Sequence, residues 1–265
     1  MPGDATHPGK VGLFILLLTV LMLGGCWEKE SDHFKSEDLG AHMVVEAGGN
    51  GSAEVRVQLF AREFLTVRDI ELADEDTLFA AVNGRVERLR KVILDIEDGE
   101  EIFDYEALFH NVDPGAQFVI SLDRTGENGH WEAPNSFVTL PGPGDLFSPS
   151  DGQAIIGGGP LLLAWRAYNA ADRLKVTLAA TCGDANFITN VTKIDLRIID
   201  SGSVEIDLQP LQSAIPSSVE SGEICKLNIE LEGKQQGTLD TAFGEGGDIV
   251  VISRRDVDAY LIVDR

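Results

Sequence analysis

The stretch Ala53-Glu54-Val55-Arg56-Val57-Gln58-Leu59-Phe60 alternates apolar and polar side chains. In an extended chain successive side chains point to opposite faces. This run therefore reads as a strand with Val55, Val57 and Leu59 inward and Glu54, Arg56 and Gln58 outward. The same period recurs at Val92 to Ile96, Tyr105 to Phe109, Phe118 to Leu122, Leu174 to Leu178, Ile194 to Ile198, Val204 to Leu208, Leu227 to Leu231 and Ile249 to Ile252. Turn pairs lie between the runs: Asn83-Gly84, Asp98-Gly99, Asn128-Gly129, Asp151-Gly152 and Ser201-Gly202. Such residues tolerate the backbone angles of tight turns. No run keeps a 3.6-residue period over three turns, so the chain reads as all-β, built from sandwiches.

Pro141-Gly142-Pro143-Gly144 cannot continue a strand ladder, and apolar strands of similar length lie on both sides of it. It divides the chain into β-sandwich domains at 43–141 and 145–265. Each is close to the roughly 100 residues of an immunoglobulin or fibronectin module. The expected architecture is two such domains in tandem after a signal peptide (1–25) and a flexible tether (26–42). The tether is expected because residues 27–42 are polar and charged without a helical or strand period.

The 265 residues carry 21 Lys and Arg against 44 Asp and Glu, a formal net charge of -23. Nucleic acid phosphates repel such a chain, so no nucleic acid partner is expected. Attachment to a membrane must come from something other than overall basicity.

The N-terminus supplies that something. His7 and Lys10 precede an uncharged apolar run from Val11 to Leu23, which ends in Leu23-Gly24-Gly25-Cys26. The run is too short for the roughly 20 residues of a bilayer span and fits a signal-peptide core. The four-residue end resembles the lipobox of bacterial lipoproteins. That resemblance implies cleavage before Cys26 and two or three acyl chains on a mature protein beginning there, enough for durable anchoring. The alternative is an uncleaved anchor with a chance Cys beside it. Trp27 stands where an Asp retains enteric lipoproteins at the inner membrane, which favours the outer membrane of the envelope.

With Cys26 acylated, Cys182 and Cys225 remain as an even pair in an exported, oxidising compartment. A bridge between them closes about 44 residues and contributes about 4 kcal/mol on the chain-entropy model. The alternative is two free buried thiols. No C-x-x-C pair points to zinc or redox chemistry.

A wider resemblance rests on three segments. Glu132-Ala133-Pro134-Asn135-Ser136-Phe137-Val138-Thr139-Leu140-Pro141 is similar to the end of the first domain in a group of uncharacterised proteobacterial lipoproteins. Phe147 to Gly152 with Leu163-Ala164-Trp165 resembles the opening of their second, immunoglobulin- or fibronectin-like domain. Gly237-Thr238-Leu239-Asp240, Ala242-Phe243 and Gly246-Gly247 resemble its close. The resemblance implies architecture and carries no activity.

Signals for chemistry are sparse. His110 and His130 have no G-x-S-x-G elbow or H-E-x-x-H helix beside them and read as surface or edge histidines. The acidic hairpin around Asp98-Gly99 is denser: Asp95, Glu97, Asp98 and Glu100 could offer Ca²⁺ the oxygen ligands it takes, and Asp74-Glu75-Asp76 forms a second acidic turn. The spacing is not that of an EF-hand, and a solvated edge that deters strand pairing accounts for it equally. Trp165 reads as a core residue near the disulfide. Gly157-Gly158-Gly159-Pro160 lacks the following Lys and helix of a phosphate loop. The expected function is a non-catalytic binding or structural module on the envelope, with an unidentified envelope protein or glycan as partner. No catalytic residue and no cofactor is assigned, Ca²⁺ apart. Alternatives are a surface adhesion or glycan-binding protein, with Ca²⁺ assisting, and a hydrolase built on paired carboxylates.

Overall fold

Val55, Val57 and Leu59 are fully closed to solvent, and Glu54, Arg56 and Gln58 on the other face are half-buried. The alternation that defines the strand therefore also defines its two faces. A computed structural model describes residues 30–63, 66–97, 100–124, 132–169, 173–183 and 190–264. The signal peptide, Cys26, Trp27, Asp98 and His130 lie outside the described residues.

Before Pro141 the strands are β1 (Leu39–Ala47), β2 (Ala53–Glu63), β3 (Thr66–Asp69), β4 (Thr77–Val82), β5 (Arg85–Arg88), β6 (Arg90–Glu97), β7 (Glu100–Phe109), β8 (Gln117–Asp123) and β9 (Ala133–Thr139). After it come β10 (Leu146–Ser148), β11 (Ala154–Ile156), β12 (Pro160–Trp165), β13 (Arg173–Cys182), β14 (Asn190–Ile199), β15 (Ser203–Asp207), a single-turn helix α1 (Gln209–Ala214), β16 (Ile224–Gln236) and β17 (Gly246–Ile262). The protein is all-β, as its periodicity indicates. Asn83 and Gly84 both take positive φ in the turn between β4 and β5, the geometry that the Asn-Gly pair favours.

Ten strands form one continuous sheet in the order β14-β13-β16-β17-β1-β2-β7-β6, with β11 on β17 and β3 on β2. Two smaller sheets cover its inner face. The sheet β5-β4-β8-β9 closes a first core around Val55, Leu59, Leu78, Phe118 and Ile120. The sheet β10-β12-β15 closes a second around Leu163, Trp165, Leu178, Leu227 and Leu261. The result is two β-sandwiches on one shared sheet.

The shared element is β17. Its 17 residues span roughly 55 Å at strand spacing. Gly246 to Ser253 pair in parallel with β1, Ala154 to Ile156 pair in parallel with its far end, and β16 runs antiparallel along nearly all of it. Ile249 and Val251 point into the first core with Phe243, and Ala259 and Leu261 point into the second. Residues more than 90 positions after Pro141 thus complete the sandwich that lies before it.

Three expectations are corrected. Residues 30–42 do not behave as tether: Ser31 and Ser36 are buried in short 3₁₀ turns, and β1 begins at Leu39. Val92, Ile93 and Leu94 do not alternate, and all are exposed, because β6 is the edge of the large sheet and its ladder shifts register between Ile93 and Asp95. Phe60 breaks the pattern of β2. It is buried on the outer face, across the ladder from Gly40, whose missing side chain leaves room for the ring.

Candidate functional site

The N-terminal segment is clasped to the first sandwich by one buried arginine. Arg124 Nε donates to Asp76 Oδ2 at 3.1 Å, Nη1 donates to Ser36 Oγ at 3.1 Å, and Nη2 donates to the Ser31 carbonyl. Ser31 Oγ in turn donates to Asp76 Oδ2 at 2.5 Å and accepts from the Ala73 amide at 2.9 Å. The Ser31 amide donates to the Glu71 carbonyl at 2.7 Å, in a parallel bridge of Glu30 to Glu71. An arginine presents its donors from three nitrogens in a fixed planar fork, which lets it reach separated acceptors, whereas the donors of a lysine all leave one nitrogen.

Next to this clasp is a cavity of about 430 Å³ between the β3–β4 connection and the β5–β6 corner, walled by Glu71, Asp74, Arg88, Arg90, Lys91 and Tyr105. Lys91 Nζ is 2.8 Å from Glu71 Oε1 and 4.4 Å from the centre of the Phe103 ring. The Tyr105 hydroxyl accepts from the Leu72 amide at 2.7 Å. Its pKa is raised above the usual phenol value, chiefly by burial. Arg88 and Arg90 are exposed at the rim.

The outer face of the ten-stranded sheet is a ladder of paired charges. Arg56 reaches Glu46 at 2.6 Å, Arg254 reaches Glu232 at 3.0 Å and Glu46 at 3.5 Å, and Lys226 reaches Asp258 at 2.8 Å. Hydrogen bonds from Lys226 and Asn228 hold the Asp258 carboxyl below its usual pKa. His42 stacks on Phe60 and lies 2.5 Å from Asp248. The strand neighbours of His42 in register are Asp248 and Gln58. Asp104 and Glu106 on β7 are both raised above ordinary carboxyl values: burial leads in each, Asp69 adds to Asp104, and Glu54 and Asp104 add to Glu106.

Between the two cores the inner face of β17 turns polar, with Ser253 and Arg255 both buried. Arg255 Nη1 donates to the carbonyls of Gly48 at 2.7 Å and Arg254 at 2.8 Å. Burial lowers its pKa against the opposing pull of Asp145, Tyr168 and Asp113.

The residues singled out from sequence fall as follows. Cys182 and Cys225 form the disulfide, with Cα atoms 4.3 Å apart. They continue the β13–β16 register of Ala180 with Leu227 and Thr181 with Lys226. The bridge therefore joins neighbouring strands of one sheet, whereas the immunoglobulin disulfide crosses between two sheets. Trp165 lies in the second core with both cysteines, and its Nε1 donates to the buried Asp200 at 2.6 Å. Of the Ca²⁺ candidates, Asp95 is exposed on β6, Glu97 and Glu100 pair across the β6–β7 ladder, and Asp98 falls outside the described residues. In the second acidic turn Asp76 is taken by Arg124, which leaves Asp74 and Glu75 exposed. Among the described residues no three Asp, Glu, His or Cys side chains converge to hold a metal. His110 is exposed at the end of β7. Gly157 lies against the Gln212 side chain, and its amide donates to the Ile262 carbonyl. The clasp itself carries no sequence signal, because its members are scattered single polar residues.

A disulfide-bridged double β-sandwich on one sheet is the class that fold and surface define. No family model matches the chain, and no curated protein matches it. Among solved structures the chain is similar to the FN1-FN3 domains of chicken CNTN1, at 10% identity and a TM-score of 0.26, covering 86% of this chain and 65% of that one. It is also similar to DIP-gamma IG1+IG2, at 8% identity and a TM-score of 0.22, covering 85% and 98%. A third likeness is to CfaE, the adhesive subunit of the CFA/I fimbria of enterotoxigenic Escherichia coli, at 9% identity and a TM-score of 0.20, covering 91% and 90%. The chain spans 65% of the length of that FN1-FN3 chain. At such identities the likeness is one of β architecture alone.

Proposed function

We propose that the chain is a lipid-anchored bacterial envelope protein that works as a non-catalytic binding or structural module, with the outer membrane favoured by Trp27. One observation carries the anchor: the Cys182–Cys225 bridge takes two of the three cysteines, and the third, Cys26, stands behind Leu23-Gly24-Gly25 at the end of an apolar run. The disulfide also suits an oxidising compartment. Among the described residues no helix is long and apolar enough to cross a membrane. The module reading is supported by the way polar side chains are spent on one another. Asp76 and Arg124 clasp the N-terminus, Asp258 binds Lys226, and Glu46 binds two arginines.

The test is the mass and partitioning of the protein expressed in a bacterial host. The wild-type chain should enter the detergent phase with an N-terminal peptide beginning at acylated Cys26, and Cys26→Ser should stay aqueous and unacylated. Identical mass and partitioning of the two would sink the reading.

A further inference from the structure

We propose that the β5–β6 side of the first sandwich rests on an anionic lipid surface, with Arg88 and Arg90 against headgroup phosphates. The proposal rests on the lipid anchor at Cys26 and adds an orientation to it.

The first argument is reach. Glu30 is pinned to Glu71 and its neighbour Ser31 is held by the buried Arg124 clasp. Three residues separate Cys26 from Glu30, and whatever their conformation the four steps from Cα to Cα span at most about 14 Å. The headgroup layer is itself about 5–8 Å deep on each side of the bilayer. A body held so closely touches headgroups, and the face beside Glu30 makes the contact.

The second argument is what that face carries. Glu71, which receives the N-terminal segment, is bound by Lys91 at 2.8 Å, so the anchor point adjoins the corner between β5 and β6. Those are the open edges of the two facing sheets of the first sandwich. The corner runs Arg85-Val86-Glu87-Arg88-Leu89-Arg90-Lys91, four cations against one acid in a chain with twice as many acids as bases. Arg85 is turned to the Asn111 carbonyl and Lys91 to Glu71, which leaves Arg88 and Arg90 exposed at the cavity rim facing Asp74. Val86 on β5 and Ile93 and Leu94 on β6 are each more than half exposed. Cations interleaved with exposed aliphatics suit a headgroup interface, where the charge meets phosphate and the methyl groups meet the glycerol region. The rest of the acidic body is repelled by the same lipids, which strengthens the bias toward this one face.

The experiment places an environment-sensitive fluorophore at Val86→Cys and, separately, at Leu162→Cys, a half-exposed site on the second sandwich. The full acylated chain is reconstituted in vesicles of phosphatidylethanolamine with or without phosphatidylglycerol, with brominated lipid as quencher. Quenching at position 86, enhanced by phosphatidylglycerol and absent at position 162, is the expected result. The pair Arg88→Glu and Arg90→Glu removes two cations and adds two anions, so it should reduce the orientation bias by at least about thirtyfold and abolish the enhancement. A matching melting curve shows the pair folded, and Arg88→Gln with Arg90→Gln replaces it if the curves differ. Equal signals at 86 and 162 on protein whose mass shows the acyl chains would overturn the orientation and leave the anchor standing. Absence of the acyl mass would overturn both.

Discussion

Arg124 and Asp76 stand 48 residues apart in sequence, yet Arg124 Nε and Asp76 Oδ2 are 3.1 Å apart and both side chains are closed to solvent. A buried ion pair is tolerated only where further hydrogen bonds satisfy its remaining donors and acceptors, and Ser31 and Ser36 provide them. The pair therefore converts what reads as a polar tether into part of the folded body, and so sets how far the body can stand from the anchor proposed at Cys26.

Arg124→Met leaves Asp76 buried without its cation. It should cost about 3–5 kcal/mol and release the N-terminal segment. Hydrogen exchange read by mass spectrometry should show loss of protection in residues 31–38 ahead of the β2 core. Unchanged protection there would mean that the segment is held by something else.

Replacing both Cys182 and Cys225 by Ala should lower stability by about 4 kcal/mol on the chain-entropy model, read from denaturant midpoints. Peptide mapping without reductant should recover the two cysteine peptides as one species. Recovery of both as free thiols would refute the bridge.

Ile249→Ala deletes a side chain of the first core from a strand near the C-terminus. It should cost about 2–5 kcal/mol and loosen β1 and β2, more than 180 residues earlier. Because β17 serves both sandwiches, thermal unfolding should follow one transition. Two well-separated transitions, with Ile249→Ala moving only the later-sequence half, would contradict the shared sheet.

The raised pKa values of Asp104 and Glu106 give a pH dependence of definite sign. A carboxyl whose folded pKa exceeds its unfolded one binds its proton more tightly when folded. Stability therefore falls as pH rises through the carboxyl range, and ionisation is destabilising at neutral pH. The double variant Asp104→Asn, Glu106→Gln should melt about 2 °C higher at pH 7, a small effect because both groups are largely solvated. The gain should shrink as pH falls through the carboxyl range and both wild-type groups take up their protons. A variant less stable at pH 7 than at pH 3, relative to wild type, would reverse the assignment.

The strands were legible because burying one face of a half-exposed strand writes a two-residue period into the chain. Val55, Val57 and Leu59 show it, and so do Leu174, Val176 and Leu178. The period fails where the strand is not half-covered: Ile93 and Leu94 lie on an open edge, and Phe60 fills the space above Gly40. The cysteine pairing was legible from count and compartment, but its place between neighbouring strands was not. The clasp was invisible, since Ser31, Ser36, Asp76 and Arg124 are ordinary polar residues until folding brings them together.

Local periodicity and turn chemistry, which act over a few residues, were enough to make this an all-β chain with a core on each side of Pro141-Gly142-Pro143-Gly144. The resemblance of Leu23-Gly24-Gly25-Cys26 to a lipobox is also local, carried by four consecutive residues. Which strand completes which core depends on pairing across the whole chain. The parallel match of β1 with β17 earns its free energy only after a loop of some 200 residues has closed. Nothing in a local pattern encodes that partner. The common sheet follows from that match, and the Arg124 clasp from equally distant contacts of Ser31, Ser36 and Asp76.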